Sequence, residues 1–597
     1  MDLFKIENLS FNYLGFPAIW ENLNFTIKAG KFTLLIGPSG AGKTCLIKQF
    51  IYKLAPFGNR TGKIFYKNQD LETLSAEERV KKFGCVAQNV EEQIISESVW
   101  QELAFSLEEL GVEPNKMRLR IAEIANFFGI QEWFWNKTNE LSGGQKQILN
   151  LASAMTLKPE ILFLDEAESS LDPVSKIDFL NLLKRINSEL GTNILLSSHN
   201  WPEVLPLADD ILYLDEQKIQ YFDSPHAFSE YILAESEKQH ISLPISTRIS
   251  HLLNKDLVFS NGEAKVQLEE FFLENTENNN LREIHSENIP TVTKETSNKT
   301  SIFKLCSQKM GKTQEEKNTI VEVKNLSFKY KKVGKNILDN LNLKIPKASF
   351  TSILGGNGSG KSSLLKCLLG ELDYSGKVKW NVSEKRKARL AYLPQNVRLL
   401  FSSDSIIAEI RKAFVSLTID EKSELAKIFN LQADNFSPES LLEKFKLSDR
   451  ANFHPSDLSG GELQRAAIAL VLLNQPDVLL LDEISNNLSI EDLQEVKLIL
   501  KTLLAKGLSI IAVSHDLEFC AELSDHCALL FQGEIVSFSK PQDFFSNNYF
   551  YTTDACRISQ GLVNDAQAAY ITSNELLEKI KAYIVKNKIE FRKGKNA

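Results

Sequence analysis

Two glycine-rich segments of this sequence place a lysine and a hydroxyl residue in the spacing GxxxxGK[ST]. The first is GPSGAGKT and the second is GGNGSGKS, and each lies between an apolar strand pattern and a helical one. Glycines let consecutive N–H groups and a helix N-terminus surround a phosphate without interference from Cβ atoms. We therefore predict two phosphate-binding loops, formed by Gly37, Pro38, Ser39, Gly40, Ala41, Gly42, Lys43 and Thr44 and by Gly355, Gly356, Asn357, Gly358, Ser359, Gly360, Lys361 and Ser362.

A pair of carboxylates ends an apolar strand pattern downstream of each loop. EILFLDE ends at Asp165 and Glu166, and DVLLLDE ends at Asp482 and Glu483. Strands this apolar lie at the centre of a parallel sheet, so we expect the carboxylates at the sheet edge where α/β proteins bind ligands. The aspartates suit Mg²⁺ and the glutamates suit the polarisation of an attacking water. The alternative, an acidic strand-to-loop turn, is disfavoured because the pair occurs twice.

The tetrapeptide LSGG precedes an apolar helical pattern in both halves of the chain. Its hydroxyl and two unobstructed backbone N–H groups at a helix N-terminus predict a second anion site, although a simple serine N-cap is the alternative. An LSGG segment could not bind the phosphate held by the loop of its own domain without crowding. We therefore expect each LSGG to close on a nucleotide held by another domain. The residues are Ser142, Gly143 and Gly144 in the first copy and Ser459, Gly460 and Gly461 in the second.

These elements recur in one order at a nearly constant offset, so the chain is an internal duplication. The copies also share a Gln after an apolar strand and a Ser-His pair at the end of another strand. We predict a first domain at 1–236, a linker at 237–318, a second domain at 319–545 and a helical tail at 546–597. The linker is rich in Asn, Thr, Ser and Glu, which predicts a flexible tether.

Parts of the linker and tail have helical patterns. Ile241 to Phe272 predicts short amphipathic helices packed on the first domain, and Ser573 to Lys588 predicts a helix with a basic end. We expect that tail helix to pack on its own domain, and a helix lying on a membrane surface is the alternative.

Composition narrows the class of protein. The chain has 597 residues, 43% of them hydrophobic and 24% charged, which is typical of a multidomain globular protein. Its net charge of −8 argues against a broad nucleic-acid interface. We find no apolar run of the ~18 residues that a membrane-spanning helix needs, and no secretory signal pattern. The 7 cysteines have no CxxC pair, so the sequence favours a cytoplasmic protein.

Together the loops, LSGGQ, the Asp-Glu strands, the Gln and the Ser-His resemble the ATP-binding cassette (ABC) ATPases, over both halves of the chain. The resemblance implies an α/β fold of two tandem P-loop NTPase cassettes. Each would have a mostly parallel core sheet with helices, an antiparallel β subdomain and a helical subdomain. The cassettes would form a head-to-tail pseudo-dimer that binds ATP and Mg²⁺ between the loop of one cassette and the LSGG of the other.

The resemblance also implies a role for each site residue. Site one would use Lys43 with Ser459, Gly460 and Gly461, and site two would use Lys361 with Ser142, Gly143 and Gly144. The implied catalytic residues are Glu166, Glu483, His199, His515, Gln88 and Gln395. The implied metal ligands are Thr44, Gln88, Asp165, Ser362, Gln395 and Asp482. Tyr13 and Tyr330 would stack on adenine, and the alternative is that they are aromatic residues of the strand core.

Three departures from the family pattern distinguish the two copies. The first copy has Ala167 and Glu168 where the family favours Pro-Thr, and its His is followed by Asn200 and Trp201. The second copy has Ser489 where the first has Asp172, a residue implied to act in communication across the dimer interface. We therefore expect the two sites to hydrolyse ATP unequally, and neither to be inactive.

Residues after the first Gln resemble one group of cassette proteins. AQNVEEQ, with Gln88, Asn89, Glu91, Glu92 and Gln93, is similar to the energy-coupling factor (cobalt and vitamin importer) ATPases. The second copy's PQNVRLLFSSDSIIAEI resembles the partner half of fused ATPases in that group.

The resemblance implies an importer motor for a vitamin, metal ion or related small solute. Its partners would be transmembrane permease subunits and a substrate-binding membrane subunit, with no nucleic acid, at the cytoplasmic face of the cell membrane. A soluble tandem-cassette ATPase acting in translation is the alternative, and tandem sugar-importer ATPases are near relatives. A DNA-repair or condensation ATPase would need zinc modules or long coiled coils, which the sequence does not predict.

Overall fold

The computed structural model of the chain describes residues 2–38, 40–51, 53–169, 171–198, 201–235, 243–276, 318–330, 336–382, 388–429, 431–432, 435–485, 488–562, 569–587 and 589. Two α/β cassettes of the same design occupy most of these residues. Each combines a six-stranded core sheet, a smaller antiparallel sheet and a group of helices.

The strands of the first cassette form two sheets. They are β1 (Asp2–Asn12), β2 (Ala18–Lys28), β3 (Phe32–Ile36), β4 (Asn59–Tyr66), β5 (Gln69–Asp70), β6 (Phe83–Val86), β7 (Ile161–Asp165), β8 (Asn193–Ser197), β9 (Asp210–Asp215) and β10 (Lys218–Phe222). The core sheet has the order β10-β9-β3-β8-β7-β6 and is parallel except for the pair β9 and β10. The antiparallel sheet has the order β2-β1-β4-β5.

Strands β3, β7 and β8 are buried at every position, because side chains cover both faces of the core sheet. On one face the antiparallel sheet contributes Phe4 and Phe11 to a core with Phe163 of β7. On the other face the helices bury Phe32 and Leu164. The carboxyl ends of the parallel strands therefore meet at one edge, where the phosphate-binding loop and the Asp-Glu pair lie.

The first cassette has nine helices in the part of the chain that the structure describes. They are α1 (Lys43–Phe50), α2 (Ala76–Lys82), α3 (Val90–Gln93), α4 (Val99–Glu109), α5 (Pro114–Phe127), α6 (Gly143–Met155), α7 (Pro173–Leu190), α8 (Trp201–Val204) and α9 (Pro225–Glu235). Helix α1 follows the phosphate-binding loop directly. Helices α4, α5 and α6 pack on one another as the helical subdomain.

After the first cassette come α10 (Ile245–Leu252) and α11 (Asn261–Thr276). The expected amphipathic helices are present, but their placement on the first domain is only partly correct. Phe259 and the carbonyl of Leu257 touch His226 of the first cassette. The apolar faces of α10 and α11 pack instead on the C-terminal tail, because their leucine and isoleucine side chains share a core with it. The predicted flexible stretch falls largely outside the described residues.

The second cassette repeats the same topology. Its strands are β11 (Thr319–Phe328), β12 (Leu338–Pro346), β13 (Phe350–Leu354), β14 (Ser375–Trp380), β15 (Leu390–Leu393), β16 (Val478–Asp482), β17 (Ser509–Val513), β18 (His526–Phe531) and β19 (Glu534–Ser539). The core order β15-β16-β17-β13-β18-β19 matches that of the first cassette strand for strand, and the smaller sheet has the order β12-β11-β14.

Helices complete the second cassette and the tail. The cassette has α12 (Lys361–Leu369), α13 (Ile406–Val415), α14 (Ile419–Ile428), α15 (Pro438–Lys444), α16 (Gly460–Leu472), α17 (Ile490–Ala505), α18 (Leu517–Leu523) and α19 (Pro541–Asn547). The tail has α20 (Asp554–Ser559) and α21 (Ser573–Lys586). The predicted tail helix is therefore present, but its apolar side chains share a core with α10 and α11 and not with the core of its own cassette. No helix in the described part of the chain is long and apolar enough to cross a bilayer.

Candidate functional site

Both phosphate-binding loops hold their lysine in the same buried position. The Lys43 ammonium donates hydrogen bonds to the carbonyl oxygens of Gly37 and Pro38 at 2.8 and 3.0 Å. Lys361 makes the equivalent contacts in its own loop at 2.9 and 3.0 Å. Burial lowers the pKa of Lys43 to about 8 and also lowers the pKa of Lys361, against the attraction of nearby carboxylates. A desolvated cation at the floor of a loop is suited to receive a phosphate.

The loop backbone explains why these positions are glycine. A Cβ atom on Gly37 would lie 2.0 Å from the carbonyl oxygen of Leu214, and one on Gly355 would lie 2.3 Å from that of Leu530. Gly42, which precedes α1, has a φ of 93°, a left-handed conformation that favours glycine. The remaining predicted loop residues lie between β3 and α1 and between β13 and α12, except that Thr44 and Ser362 lie in the first turns of those helices and Ser39 lies outside the described residues. The loops therefore form concave backbone surfaces that fit phosphate groups.

Beside each loop, a hydroxyl group contacts the aspartate that ends a core strand. Thr44 Oγ1 donates to Asp165 Oδ1 at 3.0 Å, and Ser362 Oγ donates to Asp482 Oδ1 at 3.1 Å. Burial raises the pKa of both aspartates above the ordinary value, because it disfavours the charged carboxylate. Hydroxyl and carboxylate oxygens are ligands that Mg²⁺ prefers, so this donor set fits magnesium.

A second group holds each aspartate, and the two cassettes use different residues for this. Ser197 Oγ donates to Asp165 Oδ1 at 2.7 Å, whereas the Tyr392 hydroxyl donates to Asp482 Oδ2 at 3.0 Å. The sequence analysis missed both donors. The sequence contained one signal for Tyr392, which is a difference between the two copies: the first cassette has Cys85 at the same strand position.

The two glutamates have the same backbone conformation, and each contacts a predicted catalytic side chain. Glu166 and Glu483 have φ values of 51° and 59°, a left-handed conformation that is uncommon for a non-glycine residue. Gln88 Nε2 donates to Glu166 Oε2 at 2.9 Å. His515 Nε2 lies 2.8 Å from Glu483 Oε1. Strained backbone at this point aims each carboxylate out of its strand end toward the phosphate-binding loop.

Two predicted catalytic residues, Gln395 and His199, remain to be placed. Gln395 is exposed and follows β15, in the position that Gln88 occupies after β6. His199 lies outside the described residues, so its predicted role stays a prediction. The preceding residue, Ser198, donates a short hydrogen bond to the buried carboxylate of Glu168. Ser485 replaces Glu168 in the second cassette and bonds Ser514 at 2.9 Å, so the two copies support the segment before their histidine differently.

Tyr13 and Tyr330 lie at the ends of their strands with exposed rings. They are 42% and 40% exposed, and each ring meets a neighbouring phenylalanine edge to face. The Tyr330 hydroxyl lies 3.4 Å from Ser363 Oγ in α12, so this ring borders its phosphate-binding loop. Exposed aromatic faces in this position fit stacking on a purine, which stays a prediction.

LSGG begins a helix in both cassettes. Ser142 caps α6 by accepting a hydrogen bond from the backbone of Gln145, and Ser459 caps α16 by accepting one from Glu462. The N-cap alternative is therefore present in the structure. It is compatible with an anion site, because the first backbone N–H groups of a helix remain available to a ligand.

The first cassette contacts the phosphate-binding loop of the second. Asp172, which caps α7, accepts a hydrogen bond from the backbone of Asn357 at 3.2 Å. A Cβ atom on Gly143 would lie 3.7 Å from the side chain of Asn357. Burial opposes ionisation of Asp172, but hydrogen bonds from Ser175 and Asn357 and the charge of His515 outweigh it and hold its pKa below the ordinary value. These contacts place the LSGG of the first cassette at the loop of predicted site two.

Comparison with known proteins agrees with this geometry. A family model described as "ABC transporter" matches residues 20–169 and 338–486. A "Putative ABC transporter ATP-binding protein" of Bacillus thuringiensis subsp. konkukian is 34% identical over 93% of this chain and 94% of the relative. One of the same description from Methanosarcina mazei is 30% identical over 89% and 88%.

Two solved structures are also similar. The archaeal ribosome recycling factor aABCE1, solved with the ribosomal stalk protein aP1, is 19% identical with a TM-score of 0.51 over 88% of this chain and 89% of that chain. CbiO1 from Clostridium perfringens, part of the ABC transporter complex cbiONQ, is 27% identical with a TM-score of 0.36 over 42% and 99%. The first shares the tandem arrangement of cassettes.

The chain belongs to the ABC transporter family, and it contains two cassettes of that family in tandem. The domains of this family bind and hydrolyse ATP, so the chain is an ATPase. The predicted fold class and the predicted enzyme class are confirmed.

Proposed function

We propose that this chain is the ATP-hydrolysing motor of an importer of the energy-coupling-factor type. It drives uptake of a vitamin, a metal ion or a related small solute through separate membrane subunits. Its partners are transmembrane permease subunits and a substrate-binding membrane subunit, and it works at the cytoplasmic face of the cell membrane.

In the proposed mechanism, each ATP lies between a phosphate-binding loop and the LSGG of the other cassette. Lys361 neutralises the phosphates at site two, and Glu483 polarises the attacking water while His515 orients that carboxylate. Ser142 to Gly144 close over the same nucleotide, a role supported by the contact between Gly143 and Asn357. Site one is proposed to use Lys43, Glu166, His199 and Ser459 to Gly461 in the same way.

The hydroxyl and aspartate pairs are the proposed magnesium ligands. Thr44 and Asp165 would hold Mg²⁺ at site one together with Gln88, and Ser362, Asp482 and Gln395 would hold it at site two. When bound, Mg²⁺ neutralises part of the charge on the terminal phosphates. The chain's own contribution is to keep these oxygens together, which the hydrogen bonds within each pair support.

The observation that carries the importer assignment is an apolar surface beside Gln88, formed by Ile95, Trp100 and Trp135. The backbone N–H of Val99 donates a hydrogen bond to the carbonyl of Asn136 at 3.1 Å, which joins the two chain segments that carry the tryptophans. Ile95 is 69% exposed and Trp135 is 77% exposed. Exposed aromatic clusters of this kind mark protein interaction sites.

Acidic side chains border this apolar surface. The Glu91 carboxylate is exposed and pairs with Lys146 at 2.6 Å, and Glu92 accepts a hydrogen bond from Asn89 at 2.6 Å. An apolar patch with an acidic rim is complementary to an amphipathic, basic segment. We propose that this segment is a cytoplasmic loop of the permease, consistent with the transporter description of the relatives.

Fractionation of cells expressing the full-length chain tests this proposal. The double variant Trp100→Ser/Trp135→Ser should move from the membrane fraction to the soluble fraction, because it removes the exposed aromatic anchors. ATP binding should be unchanged, because neither side chain belongs to a proposed ATP site. Phe57→Ser is the matched control, since Phe57 is an exposed aromatic residue outside this surface. Membrane retention of the double variant would contradict the proposal.

A second pair of variants separates the importer from a translation factor. Charge reversal with Glu91→Lys and Glu92→Lys should also release the chain from membranes. Deletion of residues 280–299, which begin after α11 ends, should leave membrane association intact, because a tether sets effective concentration and adds no contact. Sedimentation of the chain with ribosomes, together with loss of function on deletion, would instead favour the translation alternative.

A further inference from the structure

The helices between the cassettes and the helices after them form one small domain, which we call the linker–tail module. It consists of α10 and α11 (residues 245–276) and of α20 and α21 with their described flanking residues (554–562 and 569–587). Its core is continuous across the two segments and contains Ile245, Ile249, Leu253, Ala264, Leu268, Phe271, Ala555, Ile558, Leu576, Leu577 and Ile580. Polar contacts also join the segments, because Asn261 bonds Asp554 at 2.7 Å and Lys265 bonds the carbonyl of Gln560 at 2.7 Å.

The module touches the first cassette through its α10–α11 loop. Phe259 packs edge to face on His226, with ring centroids 4.8 Å apart. His226 Nε2 also lies 3.1 Å from the carbonyl oxygen of Leu257. The module is therefore a bridge, because its helices come from chain segments on either side of the second cassette and one of its loops rests on the first.

The module meets the second cassette at Glu518 of α18. The Glu518 carboxylate accepts a hydrogen bond from the backbone N–H of Ser573, the first residue of α21, at 2.6 Å. The charge of Glu518 also acts on Arg248 of α10, so helices from both segments of the module converge on this carboxylate.

Helix α18 follows the histidine of site two directly. His515 lies 2.8 Å from Glu483, and the next residue, Asp516, caps α18 by accepting a hydrogen bond from Phe519 at 2.8 Å. A shift of α18 therefore moves the residue beside His515. Glu518 lies three residues after His515, so only a short stretch of backbone separates the contact with Ser573 from the histidine of site two.

We propose that the linker–tail module controls ATP turnover at site two by holding α18, and that Glu518 is the positioning residue that receives this control through the backbone of Ser573. The first cassette has no counterpart of this carboxylate, because Pro202 occupies the position that corresponds to Glu518. The control therefore acts on one site of the two.

Stability alone does not explain a carboxylate in this position. Burial, together with the charges of Glu522 and Asp516, raises the pKa of Glu518 to about 7, against the lowering effect of the hydrogen bonds from Ser573. Arg248 faces the same carboxylate from α10, and Lys497 of α17 pairs with Glu522 at 2.8 Å. Glu518 is thus a carboxylate whose charge is disfavoured by burial, and it lies at the contact between the module and the second cassette.

The variant Ser573→Pro removes the donor with little disturbance of the fold. Ser573 is the first residue of α21, a position where proline is favourable because its missing N–H needs no helical partner. The preceding residue, Thr572, has φ −120° and ψ 147°, an extended conformation that is compatible with proline at the next position. Ile419→Pro is the matched control, because Ile419 is the first residue of α14 and is 87% exposed.

Hydrogen exchange in the full-length chain measures the coupling. In a hydrolysis-blocked Glu166→Gln/Glu483→Gln background, ATP should slow exchange in residues 573–578 by about tenfold, the factor that ~1.4 kcal/mol of coupling produces. Ser573→Pro should abolish this effect of ATP, and Ile419→Pro should preserve it. Glu518→Gln should weaken it without loss of melting temperature, which separates positioning from folding.

Steady-state kinetics of the chain with both catalytic glutamates intact provide a second readout. Ser573→Pro should lower kcat and leave KM unchanged, because the phosphate-binding loops are untouched. The proposal would be overturned if ATP left exchange in residues 573–578 unchanged. It would also be overturned if ATP still slowed hydrogen exchange in residues 573–578 in both Ser573→Pro and Glu518→Gln and if both variants had the wild-type kcat.

Discussion

Asp172 joins the first cassette to the phosphate-binding loop of the second. Replacement of Asp172 by serine tests that contact separately from the role of Asp172 as a helix cap. The second cassette already has serine at the corresponding position. Ser489 caps α17 there by accepting a hydrogen bond from the backbone of Asp492 at 3.1 Å. Asp172→Ser should therefore keep the cap of α7 and remove the charge that reaches Asn357.

The expected effect follows from this one hydrogen bond. A hydrogen bond to a charged group contributes about 1.5–3 kcal/mol. The separation of 3.2 Å between Asp172 and Asn357 is at the long end of the normal range, so we take the lower value. A loss of ~1.5 kcal/mol corresponds to a change of about tenfold. ATP turnover at site two should fall by that factor.

Steady-state ATPase activity in a Glu166→Gln background, where turnover reports site two, and thermal melting of the purified chain test this expectation together; the unsubstituted Asp172 in the same background is the wild-type reference. Asp172→Ser should lower turnover and leave the melting temperature close to that of the wild type, because serine is as good an N-cap as aspartate. Asp178→Ser on the exposed face of the same helix is the control, and it should change neither quantity. Turnover of Asp172→Ser within about twofold of the wild type, less than ~0.5 kcal/mol, would refute the role of this contact.

Three further expectations concern the carboxylates. Glu166→Gln and Glu483→Gln should lower ATP turnover by different factors, because Asp172 of the first cassette contacts the loop of site two and the second cassette has Ser489 in the corresponding position. Equal losses in the same assay would contradict the asymmetry. The double variant should retain binding of labelled ATP in equilibrium dialysis and lose turnover, and absence of binding would contradict the assigned roles. Burial raises the pKa of Glu518 from 4.5 to about 7, so the folded state binds this proton more tightly than the unfolded chain and loses stability as the pH rises between those values. Glu518→Gln should therefore raise the melting temperature above pH 7 and not below pH 4.5, and a difference independent of pH would show that the carboxyl does not titrate in this way.

The phosphate-binding loops and the Asp-Glu strands were predictable from the sequence because their chemistry is local. Glycines at fixed spacing specify the backbone that surrounds a phosphate, and a wholly apolar strand specifies a central position in the sheet. The geometry of Lys43 and of Asp165 with Thr44 agrees with those expectations. The internal duplication strengthened the predictions of the loops and of the Asp-Glu strands, because each motif occurs in both copies of the chain.

Contacts between distant segments were beyond the reach of such patterns. The periodicity of α10 predicted an apolar face, but it contained no information about which surface would cover that face. The covering residues Leu576 and Ile580 come from the tail, more than half the chain away. The same holds for Tyr392 and Ser197, whose hydroxyls reach the aspartates only because their strands are neighbours in the sheet.

Site-specific photo-crosslinking from Ile95 in living cells tests the importer assignment most directly. Ile95 lies in the exposed apolar surface beside Gln88, and Phe57, which is also mostly exposed, provides a control position outside it. The account predicts that a crosslinker at Ile95 captures a membrane protein with several spanning helices, identified by mass spectrometry, and that one at Phe57 does not. Capture of ribosomal proteins from Ile95, or of the same proteins from both positions, would contradict the account.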